Sequence, residues 1–200
     1  MRVSSLATRL FISATIWVVV ILFVTGIALS SLYQQAVERS FDRRLNLYLR
    51  TLIAEVAPPE DADDKMAPAL GEPLFELPLS GWYWQIVRLD GGKRSNPPKP
   101  DERASRSLWD KKLPKLEEQG VQLNSSGVRI GYVTGPEDQQ LRVVERPVDF
   151  GADGRFVVTV AGDATEIFEE TRTFDFYLVA TFVALTCGLL LTTLFQVRFG

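Results

Sequence analysis

The sequence predicts an α+β chain in which two long apolar helices flank a mixed α/β domain with a central antiparallel sheet. Residues 10–37 contain no Asp, Glu, Lys or Arg, and neither do residues 176–197. Between them lie four runs rich in aromatic and β-branched residues, which are typical of strands. A helix that crosses a bilayer needs roughly 20 apolar residues, so each charge-free run is long enough to span a membrane.

The distribution of charge predicts the orientation of the chain. Arg2, Arg9 and Arg198 are the only basic residues outside the middle segment, so 19 of the 22 basic residues and all 25 acidic residues lie inside it, a net charge of −6. Short basic flanks stay in the cytoplasm. We therefore expect a cytoplasmic N-terminus at 1–9, a first span at 10–33, an extracytoplasmic domain at 34–175, a second span at 176–197 and the start of a cytoplasmic region at 198–200.

The first apolar run is interpreted as an uncleaved anchor. Its alternative is a signal peptide cleaved near Ala28-Leu29-Ser30. The apolar core of a signal peptide is usually 7–15 residues long, and this run is much longer.

Composition excludes several kinds of chemistry. The only cysteine is Cys187, inside the second span, so no intramolecular disulfide can form. The chain has no histidine, which excludes a histidine-containing triad, a histidine metal ligand and a phosphoacceptor histidine in these residues. No basic, aromatic-rich patch points to nucleic acid, and no phosphate-binding or nucleophile motif is present.

An apolar stripe at helical spacing predicts that the first helix continues past the membrane to about Val56, where Pro58 and Pro59 end it. Such a face must pack on something, either the domain's own sheet or the same helix of a second copy. Because two-fold homodimers are the commonest oligomers, we expect a homodimer with Phe41 or Leu45 near its counterpart. The stripe consists of Val37, Phe41, Leu45, Tyr48 and Leu52, and a weaker one before the second span consists of Ile167, Thr171 and Phe174.

The middle segment predicts four strands. They are residues 81–89, 128–134, 141–150 and 155–161. The last two flank an Asp-Gly turn and should form an antiparallel hairpin. We expect a short exposed helix within 102–119, which is charged with sparse apolar positions. The second long helix should begin at Asp163 or Thr165, either of which can cap it.

Two clusters are candidate binding sites. Trp82, Tyr83, Trp84 and Arg88 could form a ligand surface. For the three aromatic residues core packing is the favoured alternative, because aromatic side chains contribute strongly to cores. Arg88 could pair with an anionic ligand or with an acidic neighbour, and the sequence leaves both open. The second cluster is Glu60, Asp61, Asp63 and Asp64. Carboxylates are ligands for hard cations such as Ca²⁺ or Mg²⁺. The spacing does not match an EF-hand loop, and a solvated loop is the favoured alternative.

Two parts of the chain resemble bacterial two-component sensor histidine kinases, broadly the PhoQ-like group. The first is Leu74–Ile86, with Gly81-Trp82-Tyr83-Trp84 at its end, and the second runs from Ala161-Gly162-Asp163 through the second span to Gly200. The resemblance implies a PAS-like periplasmic sensor domain in the inner membrane. It also implies a cytoplasmic kinase region that uses ATP and Mg²⁺ and a response regulator as its partner. No catalytic residue of that region lies in these 200 residues, and no cofactor is expected in them.

Signal reception across a membrane is therefore the leading hypothesis, either as a fragment of a kinase or as a separate sensor. A non-signalling two-span protein whose external domain binds an envelope partner is the alternative. An anchored envelope enzyme is a third possibility, disfavoured by the missing site chemistry.

Overall fold

The computed structural model describes residues 6–56, 72–89, 102–151 and 154–199. Its elements are α1 (Leu6–Val56), β1 (Tyr83–Arg88), β2 (Glu102–Ala104), β3 (Arg129–Thr134), β4 (Gln140–Asp149), β5 (Arg155–Asp163) and α2 (Thr165–Phe199), with 3₁₀ turns at Pro73–Phe75, Arg106–Leu108 and Pro136–Asp138. The chain divides into two compact units, Met1–Glu38 with Ile167–Gly200, and Arg39–Glu166. The predicted α+β class is confirmed, as is a first helix that reaches Val56.

The second unit is built on one five-stranded antiparallel sheet in the order β2-β1-β5-β4-β3. The predicted hairpin is formed by β4 and β5, and β5 also pairs with β1, so it is the central strand. Val160 of β5 lies opposite Trp84 on one side and Val144 on the other. Because side chains alternate along a strand, these three share one face of the sheet.

Both faces of this sheet are covered, which explains why β1 is buried on each side. Helix α1 covers the face of Trp82, Trp84 and Ile86, with the Phe41 ring 5.4 Å from that of Trp82. The other face carries the second part of the core, which consists of Tyr83, Leu108, Leu113, Leu116, Val133, Leu141, Val143 and Ala161.

The expectation of an exposed helix within 102–119 is wrong. This segment begins as strand β2 and continues through a 3₁₀ turn into irregular chain whose Leu108 and Leu116 are fully buried. The sheet supplies the hydrogen-bond partners that a helix would otherwise provide. Gln85 Oε1 accepts a bond from the Leu113 N–H at 2.7 Å, and Glu145 Oε2 accepts one from the Leu116 N–H at 3.0 Å.

Glu145 is fully buried and forms an ion pair with Arg129. Arg129 Nη1 donates to Glu145 Oε1 at 3.0 Å, and Arg129 Nε donates to the Val121 carbonyl at 3.1 Å. A buried carboxylate requires such partners because its charged form is poorly solvated in the interior. These two side chains therefore fasten the irregular segment to β3 and β4.

Helix α2 begins directly after β5. Asp163 Oδ1 accepts a hydrogen bond from the Thr165 N–H at 2.8 Å, so Asp163 provides the cap, as one of the two predicted candidates. The first acidic residue of the helix, Glu166, lies in the first turn, where a negative charge is favourable.

In the other unit, α1 and α2 contact each other around residues 30–33 and 174–175. The Tyr33 and Phe174 rings stack with centroids 4.0 Å apart, and Ser30 Oγ donates to Asp175 Oδ1 at 2.6 Å. Among the described residues, helices within Ile12–Ala54 and Thr165–Phe195 are long and apolar enough to cross a membrane. The structure is therefore compatible with membrane insertion.

Candidate functional site

The strongest candidate site is the contact between the second half of α1 and strands β4 and β5. Phe41 lies over Gly162 of β5, where an added Cβ would come within 2.8 Å of Phe41 Cζ and 3.1 Å of Trp82 Cζ3. The missing side chain allows the helix to approach the strand this closely. Phe41 is therefore held in a space that only glycine leaves open.

An ion pair lies beside this apolar contact. Arg142 Nε and Nη2 donate to the two carboxylate oxygens of Asp42, each at 2.9 Å. Arg142 also lies over the Tyr132 ring, 4.5 Å from its centroid. The two side chains are 12% and 17% exposed, so water screens the pair only partly. A bidentate pair fixes orientation as well as distance, and it sets the rotation of α1 on the sheet.

A second group of polar contacts surrounds Arg44, which lies two residues after Asp42 on α1. The guanidinium lies 4.4 Å from the centroid of Trp82, and its nitrogens are 4.0 Å from Glu72 and 3.9 Å from Glu166. Tyr48 donates from its hydroxyl to Glu72 Oε2 at 2.7 Å. Arg44 thus connects α1 with the loop before β1 and with the first turn of α2.

Two pKa shifts accompany this group. Burial raises the pKa of Tyr48, so the phenol stays protonated and able to donate to Glu72. The hydrogen bond with Tyr48 raises the pKa of Arg44, which keeps the guanidinium charged. The arrangement binds and orients side chains of α1.

The structure places the predicted ligand residues in the core. Trp82, Tyr83 and Trp84 are at most 5% exposed and lie on alternating faces of the sheet. Tyr83 donates from its hydroxyl to Gln139 Oε1 at 3.0 Å, and burial raises its pKa. Arg88 is nine-tenths buried, with its guanidinium 5.3 Å from the Phe156 ring centroid. The three aromatic side chains are thus buried, as the packing alternative for them predicts, whereas the role of Arg88 as a ligand residue stays a prediction.

The acidic candidates Glu60, Asp61, Asp63 and Asp64 lie outside the described residues. Within residues 6–56, 72–89, 102–151 and 154–199, no group of three or more acidic or cysteine side chains could hold a metal ion. The predicted cation site therefore stays a prediction.

Of the two partners considered for the apolar stripe, the domain's own sheet covers its central part. Phe41, Leu45 and Leu52 are at most 6% exposed in a single chain, and Leu49, which the predicted stripe omits, is equally buried. Phe41 and Leu45 are therefore covered within one chain, and their approach to the same residues of a second copy stays a prediction. The remaining members are half-buried, namely Val37, Tyr48, Thr171 and Phe174, or fully buried, namely Ile167.

Sequence reasoning missed the pair of contacts that positions α1. Asp42 reads as part of the helix's polar face, and Arg142 lies 100 positions away in a strand. A glycine inside a strand signals a close approach of another element, but Gly162 falls just after the predicted strand 155–161 and lies within a strand only in the structure.

Comparison with known proteins gives no relative. No family model matches the chain, and no curated protein or solved structure matches it.

Proposed function

We propose that this chain is the signal-sensing input module of a membrane-bound sensor histidine kinase. It detects an envelope cue and transmits it through two membrane-spanning helices. The main support is that one uninterrupted helix, α1, contains both the apolar run at 10–33 and the residues that contact the sheet. A displacement of β4 or β5 therefore acts on a helix that is continuous with the first span.

The contact of α1 with β4 and β5 has the properties that signal transmission requires. Phe41 at Gly162 and Asp42 at Arg142 fix both the distance and the rotation of α1 on the sheet. A cue changes the output only when it binds one packing of this contact better than another. The PAS-like character of the domain, its periplasmic location and the cytoplasmic kinase region belong to this proposal, together with a homodimer as the working unit.

The alternative is a non-signalling two-span protein whose external domain binds an envelope partner. The two functions differ in whether the α1 contact affects events on the other side of the membrane. Residues 1–200 joined to the cytoplasmic kinase region of a characterised sensor provide the test. Asp42→Asn and Gly162→Ala should change the autophosphorylation of that fusion, whereas the exposed control Arg50→Gln should leave it unchanged.

Unaltered phosphorylation in both variants, with normal membrane levels of the fusion, would contradict signalling through this contact. Loss of the fusion from the membrane is distinguished from loss of signalling by immunoblotting. In the Asp42→Asn/Arg142→Gln double variant neither charged side chain is left without its partner. A change in phosphorylation that persists in this variant therefore reports loss of the ion pair and not unfolding caused by an unpaired charge.

A further inference from the structure

Residues 108–121, here called the strap, cover one face of the sheet as turns and irregular chain. The strap residues Leu108, Leu113 and Leu116 are at most 6% exposed and belong to the core on that face. Its backbone hydrogen bonds close local turns, as from the Val121 N–H to the Leu116 carbonyl at 3.1 Å. The strap can therefore leave the sheet while every strand stays paired.

The chain just before the strap is anchored to β1. The Ser105 N–H donates to the Trp84 carbonyl at 2.9 Å, and Ser105 Oγ accepts a bond from the Trp84 N–H at 3.1 Å. Ser107 Oγ donates to the Trp82 carbonyl at 2.6 Å. The chain then turns at Trp109, whose φ of 56° is rarely adopted by residues other than glycine. This turn marks the point where the strap departs from β1.

Buried side chains of the sheet hold the rest of the strap. Gln85 and Glu145 accept hydrogen bonds from its backbone at 2.7 Å and 3.0 Å. Arg129 forms an ion pair with Glu145 at 3.0 Å and a second one, with Glu117 of the strap, at 3.2 Å. The bonds of such a network strengthen one another, so we expect them to form and break together.

The strands that hold the strap also hold α1 on their other face. On β4, Glu145 binds the strap, and Arg142, three positions before it, binds Asp42 of α1. On β1, Gln85 binds the strap, and Trp82, again three positions before, contacts α1. An odd separation along a strand places two side chains on opposite faces. Release of the strap therefore removes support from the two strands that contact α1.

We propose that the strap opens and closes as one piece, with Gln85 and Glu145 as its latch, and that this opening is the event by which a cue acts on the sheet. Opening exposes the sheet face beneath the strap and leaves β1 and β4 free to rearrange under α1. This inference rests on the proposed function, and it names the part of the domain that regulates the α1 contact.

Hydrogen exchange of the full chain in detergent tests whether the strap opens by itself. Amides of the strap should exchange faster than those of the central strand β5 by about tenfold or more, because a local opening costs less free energy than global unfolding. Mass spectrometry of peptides covering 108–121 and 155–163 measures both rates. Equal rates would mean that the strap opens only when the whole domain unfolds, and they would overturn the proposal.

Val158→Ala distinguishes local from global opening. Val158 is fully buried on the face of the sheet that α1 covers. Its truncation weakens a contact that stays intact when only the strap opens, so the exchange of β5 should accelerate and that of the strap should not. Equal acceleration of both segments would show that the strap follows global unfolding.

Two variants test the latch. Glu145→Gln should accelerate exchange of the strap by about tenfold, the effect of losing a hydrogen bond to a charged group. Gln85→Met should act in the same way, and it leaves no unpaired charge in the core if the first variant does not fold. Glu118→Gln, the same change at an exposed carboxylate of the strap, is the matched control and should have no effect. Unchanged exchange in a folded latch variant would overturn the latch.

Phosphorylation of the fusion described above tests the regulatory role. Glu145→Gln and Gln85→Met should change it in the same direction, because both variants favour the open strap, and Glu118→Gln should leave it unchanged. Unchanged phosphorylation in both latch variants, or changes in opposite directions, would overturn the role of the strap.

This inference and the proposed function fail in different ways. If Asp42→Asn alters phosphorylation and the latch variants do not, the proposed function stands and the strap is not its regulator. If Asp42→Asn, Gly162→Ala and both latch variants leave phosphorylation unchanged, the proposed function fails, and the regulatory strap fails with it.

Discussion

Phe41 of α1 fills the space above Gly162 of β5, at a distance where an added Cβ would lie 2.8 Å from the ring. Gly162 is paired on β4 with Arg142, the residue that binds Asp42 through two 2.9 Å hydrogen bonds. One β4–β5 residue pair therefore receives two successive side chains of α1. The helix is held at this point by an apolar contact and an ionic contact whose loss can be measured separately.

Replacing Gly162 by alanine should displace Phe41 and destabilise the second unit. Overpacking of this kind costs about 1–3 kcal/mol of unfolding free energy. Thermal unfolding of the purified chain in detergent measures the loss. Phe41→Leu, which shortens the opposing side chain, should recover part of it in the double variant.

The matched control for this prediction is Gly188→Ala, because an added Cβ there has no neighbour within 4 Å. A Gly162→Ala protein that unfolds at the wild-type temperature would show that α1 does not approach β5 as closely as described.

Replacing Asp42 by asparagine should weaken the attachment of α1 by about 2 kcal/mol, since a hydrogen bond to a charged group contributes that order of free energy. The partly buried Arg142 would be left without its carboxylate. A double-mutant cycle with Arg142→Gln should give a coupling free energy between the two positions. Additive effects would mean that the ion pair does not form in solution, and Arg50→Gln serves as the exposed control.

Single cysteines at positions 37 to 48 test how the apolar stripe is used, in a Cys187→Ser background. If a second copy covered the stripe, cross-linking would recur every three to four residues and include positions 41 and 45. Because Phe41 and Leu45 are buried within one chain, we expect weak cross-linking at both. Strong cross-linking at 41 or 45 in native membranes would show that the sheet releases this face of α1.

Reporter fusions test the topology. A fusion at residue 95 should be extracytoplasmic and a fusion after Gly200 cytoplasmic, because the short flanks are basic and the middle segment is acidic. An enzyme active only outside the cytoplasm, such as alkaline phosphatase, distinguishes the two. If the fusion after Gly200 were active and the fusion at residue 95 inactive, the proposed orientation would be wrong, and so would the proposed sensing of an envelope cue.

Addition of Ca²⁺ or Mg²⁺ tests the acidic cluster. If Glu60, Asp61, Asp63 and Asp64 bind a cation, the unfolding temperature should rise with its concentration, because a ligand that binds only the folded state stabilises it. Replacement of all four by Asn or Gln should abolish the rise. A solvated loop, the favoured interpretation, predicts equal unfolding temperatures with and without the cation.

Most helices and strands of this protein could be predicted from the sequence, because each depends on a pattern of neighbouring residues. A charge-free run with a continuing apolar stripe specifies α1 to Val56, and alternating β-branched residues with turn signals specify β1 and β3 to β5. The cap by Asp163 and the burial of the Trp82–Trp84 run were predictable for the same reason, since each depends on a few neighbouring residues.

The fold of 102–119 and the position of α1 were decided only by tertiary structure. Leu113 and Leu116 read as isolated apolar positions in a charged segment, yet Gln85 and Glu145 bind their backbone N–H groups across the sheet. Asp42 likewise meets Arg142 only after β4 has paired with β5. Such bonds join residues far apart in the chain, and a side chain's local pattern carries no information about a partner that folding alone brings within 3 Å.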